Sequence, residues 1–241
     1  MNTQHRTRRR VLHVGLAAAA LLVIDAQPAL AAELRNGGFE TGGFGPWDRL
    51  SDAVDGAQAR WTVTDEEVAP ISGAPIPPPP EGEFQAVADQ NEPGFNILYQ
   101  DFDLGTDDET LTMTLWYSNY AEEFRTPRSF EFEDIRNQQL RIDLMKAGTS
   151  VRSLNPENIL ATLYRTRKGD EPFLEPTELS FDISRFQGRK VRLRIAQVAT
   201  DFFFNVGVDA VSVGPAAVLR TATTRPVGTS TAPAALPGGR W

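Results

Sequence analysis

The chain of 241 residues contains no cysteine and only two histidines. Both histidines, His5 and His13, lie within the first 31 residues. Without cysteine, no disulfide, thiolate zinc site or cysteine nucleophile can form. If the first 31 residues are removed, Ser-His-Asp triads and histidine-ligated transition metals are excluded as well. Any chemistry of the remaining chain would depend on carboxylates, tyrosine, lysine or arginine.

Long apolar runs are also scarce, and the one present lies at the N-terminus. It spans residues 11–24, follows a basic segment at residues 6–10 and precedes the small residues Ala29 and Ala31. This order predicts a signal peptide over residues 1–31. The apolar run is shorter than the roughly 20 residues of a membrane span. No later run is longer, so we expect a secreted, extracellular protein without a membrane span.

The basic segment carries a further indication of the export route. Residues 7–12 read TRRRVL and resemble a twin-arginine signal, which exports proteins that have already folded. An ordinary Sec signal that is rich in arginine remains the alternative.

Lysine is rare, and acidic residues outnumber basic ones. Beyond residue 31 the chain holds 20 basic residues, of which three are lysines, and 31 acidic residues, a net charge of −11. The basic count excludes four arginines and the acidic count excludes Asp25, all of which lie in the predicted signal. Such a surface repels polyanions, which argues against nucleic acid or anionic lipid as a partner.

Composition divides the remaining chain into a folded unit and a tail. Residues 32–214 have the apolar content of one domain, whereas residues 215–241 consist largely of Ala, Thr, Pro, Gly and Arg. A segment of that composition buries too little surface to offset the entropy lost on ordering. We therefore predict one domain at 32–214 and a disordered tail at 215–241.

Alternation of apolar and polar residues dominates the predicted domain. It is clearest at residues 111–118, 139–145 and 190–195, which predicts strands with one apolar face. Further strands are predicted near residues 34–40, 59–64, 83–89, 97–104, 177–182 and 205–213, and one short helix is predicted at 155–164. This pattern predicts an all-β sandwich of two antiparallel sheets with at most one short helix. The two long connections, 65–82 and 119–137, are where function would be expected.

Three motifs carry a resemblance to a known family. Residues 36–40 read NGGFE and are followed by Trp47, residues 182–194 form a turn and a strand, and residues 208–213 read VDAVSV. Together they resemble the jelly-roll carbohydrate-binding modules of galactose-binding-like fold, over about residues 35–213. The resemblance implies a jelly-roll β-sandwich and a glycan partner, but its motifs specify the fold more than the ligand.

The two ends of that resemblance suggest a metal site. If Glu40 and Asp209 lie on adjacent terminal strands, their carboxylates and nearby backbone carbonyls could hold a structural Ca²⁺, which prefers six to eight oxygen ligands. The resembling modules often hold Ca²⁺ at the matching positions. The alternative is that both carboxylates accept backbone N–H groups and close the sandwich without a metal.

The polar faces of the clearest strands predict a glycan groove. Sugars stack on aromatic rings while planar polar groups bind their hydroxyls. The predicted carbohydrate-binding residues are Trp116, Tyr120, Arg141, Asp143, Arg192 and Arg194. The alternative is that the charged residues form a cross-strand ion-pair ladder and that Trp116 packs beneath a loop.

Three functions remain open at this stage. Glycan binding is favoured, and a cell-surface assembly or adhesion component that binds protein is the first alternative. The second is a carboxylate-dependent glycoside hydrolase or lyase, which needs two carboxylates at a defined separation. Its candidate acidic residues are Glu66, Glu67, Glu122, Glu123, Glu131, Glu133 and Asp134. Such residues more often form a solvated surface, so no catalytic residue is predicted.

Overall fold

A computed structural model describes residues 33–216, which form a sandwich of two five-stranded antiparallel sheets. The predicted signal peptide at 1–31 and nearly all of the predicted tail at 215–241 lie outside the described residues. Within residues 33–216, no helix has the length and apolarity needed to cross a membrane. The only helical element in that range is a single 3₁₀ turn, Ser184–Phe186.

The strands divide evenly between the two sheets. Sheet A has the spatial order β1 (Asp48–Ala53), β4 (Gly94–Asp103), β9 (Lys190–Ala199), β6 (Gln139–Lys146) and β7 (Ile159–Arg165). Sheet B has the order β2 (Ala59–Thr64), β3 (Gln85–Gln90), β10 (Phe204–Gly214), β5 (Thr110–Asn119) and β8 (Phe173–Asp182). The predicted fold class, an all-β jelly-roll sandwich with at most one short helix, is confirmed.

The core lies between the sheets and follows the predicted alternation. Apolar side chains of β6 and β9, among them Ile142 and Leu193, meet those of β5 and β10, among them Leu115 and Val208. Because side chains alternate across each strand, every second residue of these strands points away from the core. Those outward residues include most of the charged ones that were assigned to a groove.

Two local predictions were wrong. The helix expected at 155–164 is a turn followed by β7, whose Tyr164 and Ala161 pair in register with Ile142 and Leu144 of β6. The hydrogen bonds of a complete strand stabilise this segment more than a local helix cap would. The strand expected at 34–40 is a series of turns.

Those turns begin at Asn36, whose backbone has a φ of 52°. The Asn36 side chain donates to the carbonyls of Gly43 and Gly45, and its own carbonyl accepts from the Trp47 indole at 3.0 Å. Phe39 and Trp47 are both buried, with ring centroids 5.7 Å apart. The NGGFE motif and Trp47 therefore form one compact turn that closes the end of the sandwich.

The proline-rich connection 65–82 covers part of the outer face of sheet B, around β3 and Trp116. Asp89, fully buried on β3, accepts backbone N–H groups from Ile71 and Ser72 at 2.6 and 2.9 Å. Gln85 of the same strand donates to the Pro77 carbonyl at 2.6 Å. Buried polar side chains of the sheet therefore hold this loop, because leaving them unpaired would cost more than the hydrogen bonds contribute.

Trp116 lies beneath this loop. Its indole N–H donates to the Gln85 side chain at 2.7 Å, and it packs against the buried Ala69 and Ile76 of the loop. The ring lies directly over Gly207 of β10, where a Cβ would come within 1.9 Å of the indole. Only glycine leaves room for the indole at this position.

Replacing Gly207 with alanine should therefore destabilise the sandwich. The added methyl group would displace Trp116 and the loop above it, and we expect a loss of about 3 kcal/mol, near the upper end of overpacking costs. Urea denaturation monitored by tryptophan fluorescence measures this loss. Gly43→Ala is the matched control, because no heavy atom lies within 4 Å of a Cβ at Gly43. Equal stability of the two variants would contradict the packing described for Trp116.

Candidate functional site

A buried ionic cluster occupies the outer face of sheet A. Asp143 of β6 is fully buried and accepts from the Nε and Nη2 of Arg141 at 2.7 and 2.8 Å. It also accepts from Arg194 of β9 at 2.5 Å and from the Thr162 hydroxyl of β7 at 2.8 Å. One carboxylate thus joins three neighbouring strands, and its acceptor positions are all used.

Burial alone would raise the pKa of Asp143. The hydrogen bond and charge of Arg141, together with those of Arg194, outweigh burial and lower the pKa below its ordinary value. Asp143 is therefore ionised at neutral pH. The cluster of one carboxylate and two guanidinium groups carries a net positive charge.

Arg194 and Arg192 of β9 hold the connection 147–158 over the sheet. Arg194 donates to the carbonyls of Val151 and Ser153 at 2.6 and 2.8 Å. Arg192 pairs with Asp101 of β4 at 2.5 Å and donates to the Thr149 carbonyl. Each guanidinium therefore connects β9 to this loop by hydrogen bonds.

This arrangement corrects the predicted glycan groove. Asp143 and Arg194 are fully buried, Arg192 is 7% exposed and Trp116 is 1% exposed, so none of them presents a surface to a sugar. Loops cover Trp116 on one outer face and Arg192 and Arg194 on the other, which residue alternation within the strands could not reveal. The ion-pair ladder and the covered tryptophan, which were the alternatives, are what the structure contains.

Arg141 is the exception, because it also lines an open pocket. The pocket, which we call the β7 pocket, lies where β6 and β7 meet residues 126–128 and 154–156, and its volume is about 370 Å³. Its lining combines apolar and polar side chains and contains no carboxylate. The lining includes Arg128, Gln139, Arg141, Leu154, Thr162 and Arg165.

The pocket is basic. Arg165 is exposed and lies directly opposite Arg141 in the pairing of β7 with β6. Among the described residues, the side chain of Arg165 has no hydrogen bond or ion pair, and the Nη1 of Arg141 has none either. Arg128 donates to the Leu154 carbonyl at 2.9 Å. Three guanidinium groups therefore border one small cavity.

Arg128, Gln139, Thr162 and Arg165 were not predicted as site residues. Arg128 lies in a connection, Thr162 lies in the segment predicted as helix and Arg165 directly follows that segment, so nothing in their local sequence placed them together. The arginine pair at 141 and 165 could be found only from the register of β6 and β7. That register follows from tertiary pairing and not from periodicity.

Tyr120, the remaining predicted residue, lies at the other sheet. Its ring contacts Phe173 and Phe203 edge-on, at centroid distances of 5.8 and 6.4 Å. Phe173 is 48% exposed, Phe203 is 36% exposed and the adjacent Phe202 is 79% exposed. We call these four residues the aromatic patch. Phe202 also has a φ of 53°, an unfavourable backbone conformation for an exposed phenylalanine.

The predicted metal ligands lie close together. A Cβ built on Gly38 would be 3.6 Å from the Glu40 Cγ and 3.8 Å from an Asp209 carboxylate oxygen. Glu40 accepts the backbone N–H groups of Glu83 and Phe84, and Asp209 accepts those of Glu81 and Ala210. Burial, followed by the negative charges of Glu81 and Glu40, raises the pKa of Asp209 to about 6.

The carboxylate oxygens of these two residues are suitable ligands for a hard cation. Glu40 and Asp209 supply oxygen ligands, and neither has an ion-pair partner among the described residues. Within residues 33–216, however, no group of three acidic side chains is close enough to hold a metal. Calcium at this position would need backbone carbonyls or water to complete its six to eight ligands. The hydrogen bonds that are present correspond to the metal-free alternative.

The acidic residues considered for hydrolysis show no comparable arrangement. Glu123 is paired with Arg125 at 2.6 Å and lies 3.9 Å from Lys168. Since the β7 pocket has no carboxylate in its lining, it lacks the two acids that glycoside hydrolysis requires.

Comparisons with solved structures return β-sandwich domains. TmCBM61, solved in complex with β-1,4-galactotriose, is 14% identical, with a TM-score of 0.45, over 76% of this chain and 98% of that one. The K3 adhesin domain of Lys-gingipain from Porphyromonas gingivalis is 16% identical, with a TM-score of 0.44, over 76% and 98%. The family 11 carbohydrate-binding module from Clostridium thermocellum is 10% identical, with a TM-score of 0.37, over 77% and 95%. No protein-family model and no curated sequence matches the chain.

Removing the charge of Arg194 should loosen both the sheet and its loop. In Arg194→Met, Asp143 loses one of its two cations, and two loop carbonyls lose their donor. Breaking a buried ion pair on one side costs about 3–5 kcal/mol. We expect that loss in urea denaturation, together with faster hydrogen exchange of the amides at 149–153.

The exposed Arg167 provides the control, and Arg167→Met should change neither quantity. The double variant Asp143→Leu/Arg194→Met should lose less free energy of unfolding than the two single variants lose together, because it leaves no unpaired carboxylate. Additive losses would show that the two residues do not act as a pair.

Proposed function

We propose that this protein binds a glycan in the β7 pocket and does not cleave it. The observation that carries the proposal is the composition of the pocket: the planar guanidinium groups of Arg128, Arg141 and Arg165 line it together with apolar side chains such as Leu154 and Leu160. Guanidinium groups bind hydroxyls in defined directions, while the C–H faces of a sugar ring pack on apolar surface.

The volume and position of the pocket support the same function. A volume of about 370 Å³ lies at the small end of the range for ligand sites, so it suits one end or a short stretch of a glycan chain. The pocket also borders β7, the last strand of sheet A, and is therefore open at the side. A polymer can pass along an edge position without entering the sandwich.

Export of the chain fits this proposal. A signal peptide at residues 1–31 stays a prediction, and it would place the domain among extracellular or cell-wall polysaccharides.

The aromatic patch favours a second candidate function, assembly with a protein. Exposed aromatic side chains that cluster are typical of protein interfaces. Phe202 projects furthest from the patch, at 79% exposure. The patch and the β7 pocket involve different sheets, so the two functions can be separated by substitution.

A structural calcium at Glu40 and Asp209 is a further proposal. It is supported by the convergence of two carboxylates that have no cationic side chain beside them. The ion would tie the N-terminal turns to β10 and would supply no chemistry to the β7 pocket.

The glycan proposal predicts opposite results for the pocket and the patch. We expect affinity electrophoresis on a panel of neutral and acidic polysaccharides to show retention of the protein. Arg165→Ala should weaken this retention at least about tenfold, the effect of losing one hydrogen bond to a charged group. Phe202→Ser should leave retention unchanged.

The remaining outcomes decide between the functions. If Phe202→Ser lost retention and Arg165→Ala did not, the glycan site would lie at the aromatic patch. If no polysaccharide retains the protein, glycan binding is wrong. Concentration-dependent self-association that Phe202→Ser abolishes, measured by light scattering, would then support assembly.

The calcium proposal predicts a change in thermal stability. After treatment with EDTA, added CaCl₂ should raise the melting temperature, because a ligand that binds only the folded state contributes about 2.7 kcal/mol at 100 times its Kd. Glu40→Gln should remove this response to calcium. Equal melting temperatures with EDTA and with CaCl₂ would show that hydrogen bonds alone close this end of the sandwich.

A further inference from the structure

We infer that the β7 pocket recognises a negatively charged group on its ligand, most simply the carboxylate of an acidic sugar. The inference rests on the proposed glycan function and specifies the class of glycan. It follows from the placement of three arginines around a cavity whose lining contains no acidic residue.

The pairing of Arg141 with Arg165 is the first argument. These residues are direct partners in the antiparallel pairing of β6 and β7, and both line the pocket. Like charges placed directly opposite each other destabilise a sheet. An anion bound between them would convert this repulsion into attraction.

The state of Asp143 is the second argument, because this buried carboxylate is hydrogen-bonded to two residues of the lining, Arg141 and Thr162. It already accepts two hydrogen bonds from Arg141, one from Arg194 and one from Thr162. Its acceptor positions are used, so it cannot also pair with Arg165. The charge of Arg165 is left for a ligand.

The directions of the free donors form the third argument. Arg141, which lines the pocket, is fixed by Asp143 through its Nε and Nη2, and its Nη1 has no partner among the described residues. Arg128 is tied to the Leu154 carbonyl through one Nη2 bond. A guanidinium whose orientation is fixed loses little entropy on binding and matches the geometry of a carboxylate.

The charge of the whole protein makes the pocket distinct. Beyond residue 31, acidic residues exceed basic ones by 11. A long-range attraction for anions is therefore absent, and an anionic ligand would be held by these short-range contacts. Such a site distinguishes one well-placed carboxylate from a polyanion.

Trigalacturonate and its trimethyl ester test the inference, because esterification removes the charge of each carboxylate and adds only a methyl group to it. We expect calorimetry to show at least about tenfold tighter binding of the acid, a difference that falls as salt is raised. Arg128→Gln/Arg165→Gln should abolish the preference for the acid. Arg60→Gln, which removes an exposed arginine of β2 outside the pocket, should retain it.

Two results would overturn the inference. One is binding of the ester as tightly as the acid, which would leave a site for neutral glycans and the proposed function intact. The other is that neither trigalacturonate nor inorganic sulfate binds at low salt, which would show that the pocket holds no anion. Failure of the glycan function itself appears separately, as a lack of retention by every polysaccharide of the panel.

Discussion

The ionised Asp143 is the constraint on which the outer face of sheet A depends. A fully buried carboxylate is tolerated only if its charge and its acceptor positions are satisfied. Here Arg141 and Arg194 supply the charge and Thr162 supplies a further hydrogen bond. Because Arg194 also holds the carbonyls of Val151 and Ser153, the connection 147–158 must lie where it does. One wall of the β7 pocket is built from that connection.

Sheet B is organised in the same way with uncharged groups and one carboxylate. Asp89 and Gln85 hold the connection 65–82, and that connection covers Trp116. In both sheets, several polar residues on the outward positions of strands anchor a loop and do not face solvent. On sheet A, an apolar cluster adds to these anchors, because Phe130 and Phe132 of the connection 119–137 pack on the outer side of β4 and β9.

This explains which parts of the structure could be predicted from sequence. Alternation at residues 111–118, 139–145 and 190–195 correctly identified β5, β6 and β9, because core packing imposes a period of two. Alternation assigns the outward face, but it does not tell whether that face is exposed. Arg194 and Trp116 were therefore assigned to a groove, although loops distant in sequence cover them. Arg165 was not predicted, because its position beside Arg141 follows from the register of β6 and β7 and not from alternation.

The Asp143 cluster and the β7 pocket both result from an excess of positive charge on this part of sheet A. Two arginines and one aspartate on adjacent strands leave one positive charge in excess, and Arg165 adds a second without a carboxylate of its own. The Arg165 side chain has no hydrogen bond or ion pair among the described residues, so no partner in the structure offsets its charge. That charge lies opposite Arg141 in the strand pair and opposes the pairing of β6 with β7. An anion bound between the two guanidinium groups would remove this repulsion, which is the physical reason to expect a negatively charged ligand at this position.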